Sequence, residues 1–217
     1  MVYSRLYREY GPQHWWPGDG PLDVVIGAIL TQSAAWRNVE MALANLKGAG
    51  CWSLDTIHRK PQDELAAIIR PSGYFNAKAR KLKAFAAHIT SNYAGHLDRF
   101  LALDLAPLRE ELLSIHGIGP ETADDIILYA AEKPSFVIDS YTRRIVARLG
   151  ITPEGMPDTY DAHQALFQRN LAPDSKMFNE YHALLDRHAK ETCAKVPGCS
   201  RCCLREMCAT GGATAGS

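Results

Sequence analysis

No apolar run in this chain reaches the ~18 residues that a bilayer-spanning helix needs. The nearest candidate, 21–31, is interrupted by Asp23. The N-terminus mixes polar and aromatic residues and lacks the apolar core of a secretion signal. The expectation is a soluble, cytoplasmic protein with no membrane partner. Basic and acidic residues balance at 24 each, so no net positive field draws a polyanion to the molecule as a whole. Strand signals are almost missing: only Phe136-Val137-Ile138 reads as β-like, and it is too short to build a sheet. There is no internal repeat and no low-complexity linker, and Ala209–Ser217 reads as a frayed tail.

Helical periodicity fills the space that these absences leave. Leu22, Val25, Ile26, Ile29 and Leu30 recur on one helical face after Pro21, and the pattern ends at Thr31-Gln32-Ser33. Val39, Leu43 and Leu46 mark a second helix, closed by Gly48 and Gly50; Leu65, Ile68 and Ile69 mark a third, stopped before Pro71. Leu82, Phe85, Ala86 and Ile89 define a fourth, and shorter runs occupy 97–102 and 107–115. Later helices carry Ala123, Ile126, Ile127 and Ala130, then Ile145, Val146 and Leu149, then Leu166 and Phe167, then Phe178, Tyr181, His182 and Leu185. The predicted fold class is all-α, and 217 residues suffice for one large domain or two modest lobes.

Two helical patterns meet across Leu112-Leu113-Ser114-Ile115-His116-Gly117-Ile118-Gly119-Pro120-Glu121. Gly117 and Gly119 allow positive φ and a close backbone approach, and Pro120 suits the first turn of a helix. Amide N–H groups at such a start, with no side chain in front, form an anion site that a phosphodiester can occupy. Eighteen residues beyond Glu121 stands Asp139, a carboxylate directly before a helical run that closes at Gly150. Arg70, Lys78, Arg80, Lys81 and Lys83 share a stretch free of acidic residues, a basic face on a neutral protein. Five of the six cysteines fall within 16 residues. Cytosolic thiols favour metal over disulfide, and Cys193-x5-Cys199-x2-Cys202-x5-Cys208 wraps four thiolates in one short loop. That suits a [4Fe–4S] cube better than zinc, whose sites pair cysteines across a longer arm, though zinc remains the alternative. Cys203 could stand in for Cys202 as ligand.

Together the hairpin, the aspartate and the cysteine loop resemble the endonuclease III superfamily of helix-hairpin-helix DNA glycosylases. The loop's first spacing is one residue shorter than in endonuclease III and its adenine-mismatch relatives. The resemblance covers about Trp15 to Cys208 and implies two helical lobes with a DNA-binding cleft. A six-helix barrel of residues 21–135 contains the hairpin; residues 1–20 with 136–217 form the second lobe and hold the cluster. The implied partner is double-stranded DNA with a damaged base, bound by a monomer at the nucleoid.

By that resemblance Asp139 is the catalytic carboxylate, placed beneath a flipped nucleotide to stabilise the sugar cation and orient a water. As an Asp it is also a favoured helix cap. Bifunctional members carry a lysine where this chain has Glu121, and a glutamate cannot form an imine with C1′. The chain is therefore expected to be a monofunctional glycosylase without AP lyase activity. Gly117 and Gly119 grip a strand; Gln32 and the Gly73-Tyr74-Phe75-Asn76-Ala77-Lys78 turn match the family's two DNA-probing loops, which makes Gln32, Tyr74, Phe75 and Lys78 DNA contacts. Lys195, Arg201 and Arg205 of the cysteine loop are placed to meet phosphates.

Trp15 and Trp16 lie in an N-terminal Trp-Trp-Pro-Gly loop, either capping the core or walling a base pocket, and Trp36 in the stretch after Gln32 is expected to face that pocket too. Indoles stacked on a cationic alkylated base contribute ~1–2 kcal/mol. The combination of Trp-Trp-Pro, Leu-Thr-Gln, Arg-Pro-Ser-Gly-Tyr-Phe-Asn and Gly-Ile-Gly-x-Glu is similar to the 3-methyladenine DNA glycosylase III branch, whose best-known members lack the cluster. The expected substrate is an alkylated purine such as 3-methyladenine. The alternatives are an endonuclease III-type glycosylase/AP lyase on oxidised pyrimidines, action on mismatched thymine, or a protein that binds damaged DNA without chemistry.

Overall fold

The computed structural model describes residues 1–213, and among these the chain is all-α with no strand. In order the helices are α1 (Val2–Tyr10), α2 (Pro21–Thr31), α3 (Trp36–Gly48), α4 (Leu54–Arg59), α5 (Gln62–Ile68), α6 (Phe75–Tyr93) and α7 (Leu97–Leu101). There follow α8 (Leu105–Ser114), α9 (Pro120–Asp125), α10 (Ser140–Leu149), α11 (Tyr160–Asn170), α12 (Ser175–Glu191) and α13 (Ala209–Ala213). Among the described residues no helix is long and apolar enough to cross a membrane. The tail expected to fray instead opens with α13, while 214–217 lie outside the described residues. The chain divides into two compact units, Gly18–Lys133 and Met1–Pro17 together with the chain from Pro134 onward.

The first unit is built around α2. Val25, Ile26, Ile29 and Leu30 are each no more than 1% exposed, and burying such side chains contributes ~1.5–3 kcal/mol apiece. Its flanks are α3, α6, α9 and the segment that continues α9. The charge that interrupts the apolar run is fully answered. Asp23 sits in the first turn of α2, accepts the Asp19 amide at 2.7 Å and pairs with Lys47 Nζ at 3.2 Å. The acid therefore complements the helix N-terminus instead of costing an unpaired buried charge. The fourth helix, α4, begins with a reciprocal capping box between Ser53 and Thr56, a start signal that the apolar count passed over. Beyond α9 the chain widens over Ile126–Ala130 into a π-type turn, with Ala131 N donating to Ile126 O at 3.0 Å.

The second unit hangs on α12, against which α1 and α10 pack. Phe136 is fully buried, stacked on Phe167 at 4.0 Å and edge-on to Phe178 and Tyr181 at 5.2 and 5.6 Å. The β-like triplet is thus an extended core segment, and its backbone polar groups find side chains in place of a sheet. Gln164 Nε2 donates to Phe136 O at 2.9 Å, and the Ile138 amide donates to the Tyr160 hydroxyl at 3.3 Å. The first helix, α1, escapes sequence periodicity because Leu6 is its only buried residue.

Candidate functional site

The hairpin between α8 and α9 is shaped by its glycines. Gly117 has φ 85°, and Gly119 caps α9, with Pro120 in the first helical position. A Cβ on Gly117 would collide with the methylenes of Lys81, so the turn needs hydrogen there for space as well as for conformation. Lys81 in turn donates to the Gln32 side-chain oxygen, while Gln32 Nε2 donates to Gly117 O at 3.2 Å and Thr122 Oγ1 at 2.8 Å. Gln32 is half-buried and ties the end of α2 to the hairpin, a bracing role that the motif alone does not reveal. Glu121 is exposed on the first turn of α9.

Tyr74 caps α6 in the left-handed region at φ 45° and is 75% exposed, a large aromatic held out on strained backbone. Phe75 beside it is half-buried beneath the Arg70 guanidinium, 5.9 Å from the ring centre. Lys78 requires a correction. Expected to contact DNA, it is 1% exposed, and its ammonium donates to Leu30 O at 2.8 Å and Ser72 O at 2.6 Å. Burial lowers it to about 8, with Lys81 nearby adding to the shift. Its position on α6 turns it inward, where it serves the ends of two helical segments instead of a phosphate.

Asp139 belongs to the second unit. It is the N-cap of α10, with Oδ1 accepting the Thr142 amide at 2.7 Å. Oδ2 lies 3.9 Å from His182 Nε2 of α12, and the carboxylate is 18% exposed. One oxygen is thus committed to the helix and the other is left for a second partner. In the sequence His182 reads as part of the apolar stripe of α12, because its spacing matches its neighbours'. Trp15 and Trp16 are half-buried in this unit, their ring centres 5.3 Å apart; Trp36 is half-buried at the start of α3 in the other.

No two of the six cysteines are joined in a disulfide. Cys193, Cys199, Cys202 and Cys208 line one cavity, with Arg148, Thr192 and Arg205 in its wall. Burial raises the Cys202 thiol, and the other three add to the shift, as expected of donors sharing one space. Cys203 stands outside that lining; its carbonyl accepts from Arg5 at 3.2 Å and burial pushes its thiol up to about 11. Sequence reasoning missed what holds the loop. Arg144 Nε donates to Cys193 O at 3.1 Å, and Arg148 donates to Cys193 O, Cys193 Sγ, Ala194 O and Lys195 O at 2.7–3.2 Å. Both arginines project from the helix that Asp139 caps. Burial also drives His188, beside the loop, down to about 4. Among the described residues no three His, Cys, Asp or Glu side chains are gathered as a single metal ion would require.

The family model for the HhH-GPD superfamily of base excision DNA repair proteins matches residues 26–173, a span that includes Gln32, the hairpin and Asp139. The chain belongs to this superfamily. With it comes the general activity of a DNA glycosylase in base excision repair. A Methanocaldococcus jannaschii protein that carries the provisional name of DNA repair glycosylase is 42% identical over 209 residues, 95% of this chain and 94% of its own. The H. pylori 3-methyladenine DNA glycosylase, solved bound to 1,N6-ethenoadenine, is 27% identical with a TM-score of 0.76, covering 88% of this chain and 96% of that one. An endonuclease III in non-covalent complex with DNA shares the fold at TM-score 0.84 and 20% identity, covering 100% of this chain and 96% of that one.

Proposed function

We propose that this HhH-GPD protein is a monofunctional glycosylase that removes an alkylated purine, such as 3-methyladenine, from double-stranded DNA by hydrolysis. The observation that carries the mechanism is the geometry of Asp139. Departure of a base leaves positive charge on the deoxyribose, and a carboxylate fixed by its helix cap answers that charge without reorganising. Oδ1 is anchored on Thr142, so the remaining oxygen is the one available to the sugar or to the attacking water. Alkylation has already weakened the glycosidic bond, so little acid is needed at the leaving base.

The absence of lyase chemistry rests on Glu121. Its place at the start of α9 is where bifunctional members present an amine, and a carboxylate cannot become a Schiff base. The choice of an alkylated purine rests on the tryptophan residues, which suit stacking on a cationic ring, and on the likeness to the H. pylori 3-methyladenine enzyme. Gly117, Gly119, Tyr74 and Phe75 are assigned to DNA: the glycines because a hairpin without side chains can offer its backbone amides to a phosphate, Tyr74 by its exposed ring.

We also assign Cys193, Cys199, Cys202 and Cys208 to a [4Fe–4S] cluster. Four thiols of one short loop line one cavity, which suits a cube better than zinc, whose sites pair cysteines across a longer arm. When bound, the cluster orders the loop that presents Lys195, Arg201 and Arg205; base hydrolysis needs no electron from it.

The test is a panel of defined lesion duplexes incubated with the purified protein, each arm repeated with borohydride. Release of 3-methyladenine with an intact abasic site and no trapped adduct is the expected result. Preferred release of oxidised pyrimidines, or a covalent adduct, would overturn the assignment.

A further inference from the structure

Behind the four-cysteine cavity, α12 and α1 hold a line of hydrogen bonds that base excision does not use. His188 on α12 is 1% exposed. Its Nε2 lies 3.6 Å from Cys202 Sγ, and its Nδ1 lies 2.8 Å from the Tyr10 hydroxyl on α1. The same hydroxyl is 2.9 Å from Thr192 Oγ1, and the Tyr10 ring packs edge-on against the imidazole at 5.8 Å.

Proton placement along this line is constrained. If Thr192 O–H donates to the tyrosine oxygen, Tyr10 O–H donates to Nδ1 and leaves Nε2–H aimed at the sulfur. Every hydrogen then meets an acceptor. The opposite tautomer would turn the Nε2 lone pair toward a sulfur that is anionic whenever it ligates metal, which is repulsive.

We infer that His188, its tautomer set by Tyr10, donates a hydrogen bond to Cys202 when that thiolate binds the iron–sulfur cluster, so that α1 is part of the cluster's support. This rests on the cluster reading above. An N–H···S bond draws charge from the thiolate, which favours the more reduced cluster and slows its oxidative loss. Tyr10 and Thr192 act on Cys202 through His188.

The test uses the whole protein purified without added metal. Iron and zinc are measured in wild type, His188→Phe, His188→Gln and Tyr10→Phe, together with the rate at which ferricyanide bleaches the iron–thiolate absorption. Fe–S stretching bands are compared in H₂O and D₂O. His188→Phe is expected to bleach about tenfold faster and to lose the deuterium shift. His188→Gln, whose amide N–H can take the place of Nε2–H, restores most of both. Tyr10→Phe falls between and leaves the imidazole in place, so it reports even if His188→Phe does not fold. Equal bleaching rates and equal deuterium shifts in all four proteins overturn the inference while leaving the cluster. Zinc in place of iron, or no metal, overturns the reading of the loop and the inference with it.

Discussion

Replacing Gly117 with alanine should damage the hairpin for two separable reasons. The backbone there has φ 85°, which costs an alanine about 1 kcal/mol. The added Cβ also strikes the stem of Lys81 close to the backbone of α6, so the turn must shift off that stem and away from Gln32, which keeps its bond to Lys81. Gln32 then loses its hold on Gly117 O and Thr122, and at ~1 kcal/mol per hydrogen bond this part comes to about 2 kcal/mol. The total is about 3 kcal/mol, or a fall of roughly 6–12 °C in melting temperature for a chain of this size. Lys81→Ala alone removes one hydrogen bond and should cost about 1 kcal/mol. In the double variant no stem remains to strike, so only the backbone cost is added and the loss is about 2 kcal/mol against a sum of about 4 for the singles. Urea unfolding of the four proteins, followed by circular dichroism, measures that coupling. Strict additivity would refute the collision as the cause.

Lys78 offers a pH signature. Its folded value of about 8 lies below the ordinary 10.5, so the unfolded chain holds an extra proton between these limits. Stability should therefore rise with pH across that window, by about 2 kcal/mol at pH ~9.5 relative to the Lys78→Met variant. A difference between the two proteins that stays flat with pH would contradict it. Glu121→Lys should gain a borohydride-trapped adduct with a lesion duplex that the wild type lacks; no adduct in the variant would show that this position does not face the sugar.

Much of the architecture was legible because burial is written in spacing. The apolar repeat of α2 runs through a helix buried on every side, and the stacked Phe136–Phe167 pair lies in segments whose apolar residues stood out. The first and fourth helices were hidden for different reasons: α1 buries Leu6 alone, and α4 is announced by the Ser53–Thr56 cap in only six residues. Within the site, residue types were easier to read than directions. Lys78 sits in a basic stretch, yet the helical register of α6 turns it inward; Gln32 sits in a probing motif, yet its carboxamide braces the turn. His182 and His188 share the apolar stripe of α12, and only coordinates reveal that one approaches Asp139 and the other Cys202. Arg144 and Arg148 reach carbonyls some 45 residues away in sequence, pairings with no local signature.

The excision mechanism is tested most directly with Asp139→Asn. Asparagine still caps α10, so stability should change by less than about 0.5 kcal/mol. Release of an alkylated base in single turnover should fall by roughly 10²–10³, with affinity for the lesion duplex retained. Undiminished release by a folded Asp139→Asn protein would contradict the assignment of this carboxylate as the group that stabilises the sugar cation.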